Sequence, residues 1–228
     1  MPILVVDDPQ DPRLADYHNV PDPILLRQRG LFVAESRLVV RTLLTHPRLH
    51  TRSLLTTRAA FASLADLLDE RQDQLPIYIA SAKFLENVVG FHVHRGCLAL
   101  GDRPPATTDT ELSPLRSARL VVVLEQVANP DNVGSIFRNA AAFDVECILL
   151  SPQCSDPLYR KAIRTSLGAT LRIPYAVMDD WPEGLTRLRE LGYTTVALTP
   201  DASTEPLETF AAAPPTRVAV VVGTEGPG

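Results

Sequence analysis

The sequence predicts an α/β protein made of two successive units. Two observations carry this. In the second half, short continuous apolar runs alternate with amphipathic segments of helical period. Such runs read as strands of a parallel sheet covered on both faces, because each crossover lays a helix on the sheet. Between the halves lies DRPPATTDTELSPLR (102–116), rich in Pro and Thr and without hydrophobic period, which reads as a linker. The expected division is 1–105 as an N-terminal arm and small α/β unit, 106–116 as the linker, and 117–228 as the parallel-sheet unit.

Taken in order, residues 1–30 hold Asp-Pro steps and little period, so they read as an arm with turns. ESRLVVRTLLTH places Leu38, Val39, Thr42 and Leu43 on one helical face, and Pro47 ends it. RSLLTT (52–57) reads as a strand. AAFASLADLLDER (59–71) reads as a helix with Phe61, Leu64, Leu67 and Leu68 inward. PIYIA (76–80), AKFLENVV and GCLALG (96–101) read as strand, helix and strand. In the second half the expected strands are 120–125, 147–151, LRIPY, 193–198 and 217–223. The expected helices are 132–143, 156–167 and WPEGLTRLRELG, the last closed by Gly192. In such sheets ligands bind beyond the carboxyl ends of the strands.

Hydrophobic residues make up 45% of the 228 and charged residues 21%, which excludes a disordered chain. No apolar run approaches the roughly 20 residues of a membrane helix. MPILVVDDPQDPRL lacks a basic leader, so a cytoplasmic protein is expected. Cys97, Cys147 and Cys154 form no C-x-x-C pair, and two of them sit in apolar strands as inert thiols. His92 and His94 alternate without a Cys or carboxylate to complete a metal set, so no metal is expected.

The net charge of −5 alone points away from nucleic acid. Its distribution does not. Seven arginines from Arg27 to Arg58 face one acid, Glu35, and Arg160, Lys161, Arg164 and Arg172 form a second cluster. Guanidinium donates two parallel hydrogen bonds to phosphate. Abundant Arg, Ala and Pro also fit a GC-rich genome, which accounts for the choice of Arg over Lys but not for the clustering.

Two loops carry the chemistry. EQVANPDNVGSIFRNAAAF leaves a strand at Glu125, turns at Asn129–Asp131 and opens a helix near Asn132, with Gly134 and Arg138 following. By itself this also reads as a helix cap plus a surface arginine. VVVGTEGPG brackets Glu225 with Gly223, Gly226 and Gly228. It is no phosphate loop, since G-K-[ST] is missing and a carboxylate would repel phosphate.

Together these loops resemble the SpoU/TrmH family of RNA ribose 2′-O-methyltransferases, in the SPOUT superfamily. Asn132, Gly134 and Arg138 match its N-x-G-x-x-x-R motif, and Gly223, Glu225 and Gly228 match its G-x-E-x-x-G motif. ILLSPQCSDPLYRKAIRTSLGATLRIPY is similar to the segment between them. The N-terminal half, from DPRLADY to GCLAL, is similar to the family's small substrate-binding domain. The family's third motif, a strand and then a helix opening on a Leu-Asn-Val-Ser-like segment, is expected to follow Gly228.

The resemblance implies a trefoil α/β knot, a homodimer, S-adenosylmethionine as cofactor and rRNA or tRNA as partner. It implies that Arg138 contacts the 2′-hydroxyl, either as the base or by orienting the ribose and phosphate while another group takes the proton, that Asn132 fixes the loop, and that Glu225 holds one or the other. Gly223 would let the cofactor lie against the backbone, and Leu198, Thr199 and Pro200 would border the adenine. Arg37, Arg41, Arg52, Arg160, Lys161 and Arg164 would grip RNA phosphates. Methyl transfer needs the ribose oxygen aligned behind the methyl carbon and its proton removed or polarised. A non-catalytic RNA-binding member of the same fold stands as the alternative. A small-molecule enzyme on an ordinary nucleotide-binding sheet is the third reading.

Overall fold

The structure, a computed structural model, describes residues 3–19, 21–68 and 75–223, with the His94 side chain excepted. The chain divides into two compact units. The first comprises the residues up to Pro104 together with Pro157–Arg172. The second comprises Pro105–Asp156 and the residues from Ile173 onward.

In the first unit, β1 (Ile3–Val5), β2 (Leu31–Glu35), β3 (Thr51–Thr56), β4 (Ile77–Ile79) and β5 (Cys97–Asp102) form one sheet in the order β1-β4-β3-β5-β2. β1, β4 and β3 run parallel, and β5 is antiparallel to both β3 and β2. The expected arm thus contributes an edge strand and a helix, α1 (Asp22–Gln28). A strand of three residues is too short for its period to show.

The helices follow local chemistry. α2 (Arg37–Thr45) buries Val39, Val40, Leu43 and Leu44. The buried face is turned from the expected one, and Leu38 is left 50% exposed. Five apolar residues make a stripe wider than the contact, so packing chooses among them. The expected helix 59–71 is broken into α3 (Arg58–Ala62) and α4 (Ala65–Leu68). Thr57 caps α3 by accepting from Ala60 N–H at 3.2 Å, and the Ser63 hydroxyl donates to Ala60 O at 2.7 Å, competing with the helical ladder. α5 (Ala82–Val89) is capped by Ser81 and closed by left-handed Gly90. α7 (Arg160–Thr165) and α8 (Ala169–Arg172) complete the unit, and α7 packs on β2.

In the second unit, β6 (Leu120–Leu124), β7 (Cys147–Leu150), β8 (Tyr175–Val177), β9 (Thr194–Ala197) and β10 (Val218–Val222) form an all-parallel sheet, ordered β8-β7-β6-β10-β9. Its helices are α6 (Pro130–Ala142), α9 (Gly184–Glu190) and α10 (Leu207–Ala212). LRIPY is not the expected strand: α8 runs through Arg172, and Pro174, which has no N–H, offers only its carbonyl, to Ile148 N at 3.0 Å. The strand begins at Tyr175.

One core of this unit gathers Val121, Val123, Cys147, Leu149, Met178, Leu188, Tyr193, Ala219 and Val221. Arg217 belongs to that packing. Its guanidinium lies 4.1 Å from the Tyr193 ring centroid and donates to Ala118 O, Leu115 O and Leu191 O. From β6 the chain moves outward through β7 to β8, then crosses to the other side for β9 and β10. The order therefore reverses between β6 and β10, where such sheets open a crevice at their carboxyl ends. No helix among the described residues is long and apolar enough to cross a membrane.

Candidate active site

The reversal point brings three strand ends together. Glu125, just past β6, donates its N–H to Val222 O at 2.9 Å. Gly223 follows β10. Among the described residues, a Cβ built on Gly223 would meet only the Glu125 Oε2 oxygen, at 4.0 Å, so they leave the backbone there open to a close neighbour. Leu198 N–H donates to Val221 O at 3.0 Å, which leads Leu198, Thr199 and Pro200 off the sheet beside β10. All three are exposed, Leu198 by 49%. Four of the residues expected at the cofactor thus share one sheet end.

The loop from β6 enters α6 two residues earlier than expected. Asn129 Oδ1 accepts from Asp131 N–H at 2.9 Å, Pro130 takes the first helical position, and Asp131 sits in the first turn. Asn132 therefore lies inside the first turn, half-buried. Val133, Gly134, Phe137 and Ala140 bury the inner face, with Phe137 edge-on to Tyr175 at 5.8 Å. Arg138 is exposed, and among the described residues nothing pairs with it. Arg138 follows Asn132 by six helical positions, which places them about 9 Å apart along the axis and about 120° apart around it. A long side chain leans toward the helix N-terminus, which shortens that gap. The expectations on Glu225 and Gly228 lie outside the described residues.

Sequence reasoning missed what holds this loop. Gln126 has a left-handed backbone, φ 51°, which costs a non-glycine residue about 1–3 kcal/mol. Its N–H donates to Ser151 Oγ at 2.8 Å, and Ser155 N–H donates to Val127 O at 2.9 Å. No sequence period marks a single left-handed residue. Gln is also uncommon there compared with Gly or Asn.

The six arginine and lysine residues expected on RNA all lie in the first unit. Arg37 and Lys161 are exposed, and Arg164 is half-buried. Arg41 is forked onto Asp66 at 2.9 and 2.6 Å. That hydrogen-bonded pair pushes the arginine's pKa up and the aspartate's down. Arg52 meets Asp102 at 3.0 Å, and His50 shares that carboxylate. Arg160 pairs at 2.8 Å with Glu35, which is 0% exposed, and stacks 3.7 Å from the Phe91 ring centroid. Its backbone N–H donates to Asp22 at 3.1 Å. Burial pushes the Cys97 and Cys147 thiols up to about 12, so neither is a nucleophile near neutral pH. Among the described residues no cluster of His, Cys, Asp or Glu could hold a metal ion.

Residues 119–228 match the SpoU rRNA Methylase family. Over 228 aligned residues the chain is 40% identical to an uncharacterized tRNA/rRNA methyltransferase of Mycobacterium tuberculosis, covering 98% of this chain and 77% of the relative. Two crystal structures share the fold. One is an AdoMet-bound rRNA methyltransferase from Sinorhizobium meliloti, with TM-score 0.76 at 19% identity over 99% of this chain and 83% of the other. The second is an RNA 2′-O ribose methyltransferase, with TM-score 0.75 at 20% identity over 99% and 83%.

Proposed function

This chain belongs to the SpoU rRNA methylase family, and from that premise we propose that it methylates a ribose 2′-hydroxyl in rRNA or tRNA. The coarser statement, a SpoU-type RNA methyltransferase, follows from the family. The finer one is supported by one observation above the rest. The open backbone of Gly223, the exposed Leu198–Pro200 turn and the loop to Asn132 and Arg138 all leave the carboxyl edge of one parallel sheet.

The residues present fit S-adenosylmethionine, the cofactor of this family. Exposed Leu198 offers an apolar face to a planar base. The Gly223 backbone admits a close neighbour. The Glu125 carboxyl beside it suits a positively charged ligand. When bound, that cofactor supplies an electrophilic methyl group. The chain does the rest. A guanidinium is a poor proton acceptor, so Arg138 is not assigned the role of base. Its charge orients the ribose and a flanking phosphate, and stabilises the oxyanion that develops as the 2′-proton passes to solvent water. Asn132 braces the first turn of the helix that carries it. In the first unit, Arg37 and Lys161 are exposed and open to RNA phosphates, while Arg160 is committed to Glu35. Such contacts fix register and carry no sequence information.

The test uses purified protein, labelled S-adenosylmethionine and total bacterial RNA. A 2′-O-methyl group blocks alkaline cleavage of the adjacent phosphodiester, so label is expected in alkali-resistant dinucleotides. Label in mononucleotides carrying a modified base would overturn the ribose reading. The homodimer that the resemblance implies is checked by sedimentation of the same preparation.

A further inference from the structure

We propose that Ser151 is a positioning residue for methyl transfer, acting through the backbone of Gln126; this rests on the ribose methylation reading above. The chain leaves β6 at Leu124 and must turn within five residues to enter α6 at Pro130. It does so through Gln126 at φ 51°, where an L side chain is disfavoured. An external bond has to hold such a residue in place.

Ser151 supplies it from the end of the neighbouring strand. The residue is 2% exposed. Its backbone N–H donates to Leu124 O at 2.9 Å, which fixes it against β6, and its Oγ accepts the Gln126 N–H at 2.8 Å. The hydroxyl hydrogen is then free to point at Cys154 Sγ, 3.6 Å away, and the thiol donates to Leu124 O at 3.2 Å. Every hydrogen in this chain has one acceptor, so the hydroxyl keeps a single orientation. Ser155 N–H fastens the next residue through Val127 O. Two consecutive loop residues are thus pinned to the segment after β7, on the path that leads into α6 with Asn132 and Arg138.

The body of α6 does not depend on this clamp. Val133, Phe137 and Ala140 anchor it by burial. What the clamp governs is the path from Glu125, beside Gly223, to the first turn of α6. A loosened path moves the reacting groups out of alignment without unfolding the helix, and small misplacements weigh heavily on an aligned displacement.

The experiment is steady-state methyl transfer by the full chain, with thermal melting in parallel. Ser151→Ala is expected to lower kcat about ten- to a hundred-fold. The KM for S-adenosylmethionine should stay within about twofold, as loss of alignment rather than of binding requires. Adding Gln126→Gly should restore most of the lost kcat, since glycine holds a positive φ without the bond. A merely structural role would instead lower the melting temperature and leave kcat alone. Wild-type kcat in Ser151→Ala, or no recovery in the double variant, would overturn the proposal. Should Ser151→Ala prove insoluble, Ser151→Cys, a weaker acceptor for the same N–H, must show the kcat deficit, and wild-type turnover there counts against it. A wild-type protein that methylates no ribose fails the underlying reading, an outcome distinct from an active wild type indifferent to Ser151.

Discussion

Arg160, in the first unit, lies against the Phe91 ring and pairs with a carboxylate that no solvent reaches, whereas Arg138, on α6 of the second, is exposed and pairs with none of the described residues. Both were expected to meet RNA. The difference teaches that clustering of positive charge does not distinguish available guanidinium from committed guanidinium. A desolvated arginine with an acid partner is part of the packing. An exposed one beside a strand-end crevice is free to meet an anion.

Substitution separates the two. Arg138→Ala should reduce methyl transfer a hundred-fold or more, by roughly the weight of a transition-state charge partner, with melting unchanged. Labelled-methyl assays and calorimetry check both halves, and a large drop in melting temperature would erase the contrast. Arg160→Ala should do the reverse. It removes the arginine that pairs with buried Glu35, at a cost of about 3 kcal/mol, read by urea unfolding. Arg160→Ala with Glu35→Gln should recover part of that, because a neutral amide tolerates burial better than a carboxylate.

Glu146 extends the comparison to an acid. It accepts the N–H groups of Leu120 and Arg119, and these backbone bonds hold its carboxyl below the usual range. A lowered folded pKa contributes stability in full above the unfolded value, and that contribution is lost as pH falls through the folded value. The stability gap between wild type and Glu146→Gln should therefore be constant near neutrality and shrink in acid, from about pH 4.5 downward. A gap that widens in acid would contradict the assignment. The smallest effect is expected of Arg41→Ala. Arg41 is forked onto Asp66 as neatly as Arg160 onto Glu35, but in solvent, so its melting curve should overlay that of the wild type. A measurable loss there would show that pairing rather than burial makes the distinction.

The second sheet was legible because LVVVL, CILL and VAVVV are runs that only a doubly covered strand supports. β2 was harder: LFVAE ends in Glu35, which reads as a surface acid until Arg160 is known to lie against it. That partner is 125 residues away, beyond any local pattern. α10 buries nothing, so it left no apolar face to find. Around the candidate site, the places of Gly223 and Leu198–Pro200 at strand ends were readable from the apolar runs before them, while the cofactor role expected of them rests on the family resemblance. The clamp at Gln126 was not, since Ser151 reads as the last residue of a strand and Cys154 as a loop residue until β7 is set beside β6.

One feature of the first unit bears on how the protein is made. Its α7 and α8 come from Pro157–Arg172, after β6 and β7 of the second sheet have already been written into the chain. On a ribosome that adds about 5–20 residues per second, β2 emerges several seconds before the helix that covers it. Through that interval Glu35 is without Arg160, and the first unit cannot finish until β6, α6 and β7 of the second have been synthesised. The two units therefore cannot be separated by a single cut in the gene. A fragment ended at Pro104 would carry the sheet but not its cover, and should be the form most prone to aggregate.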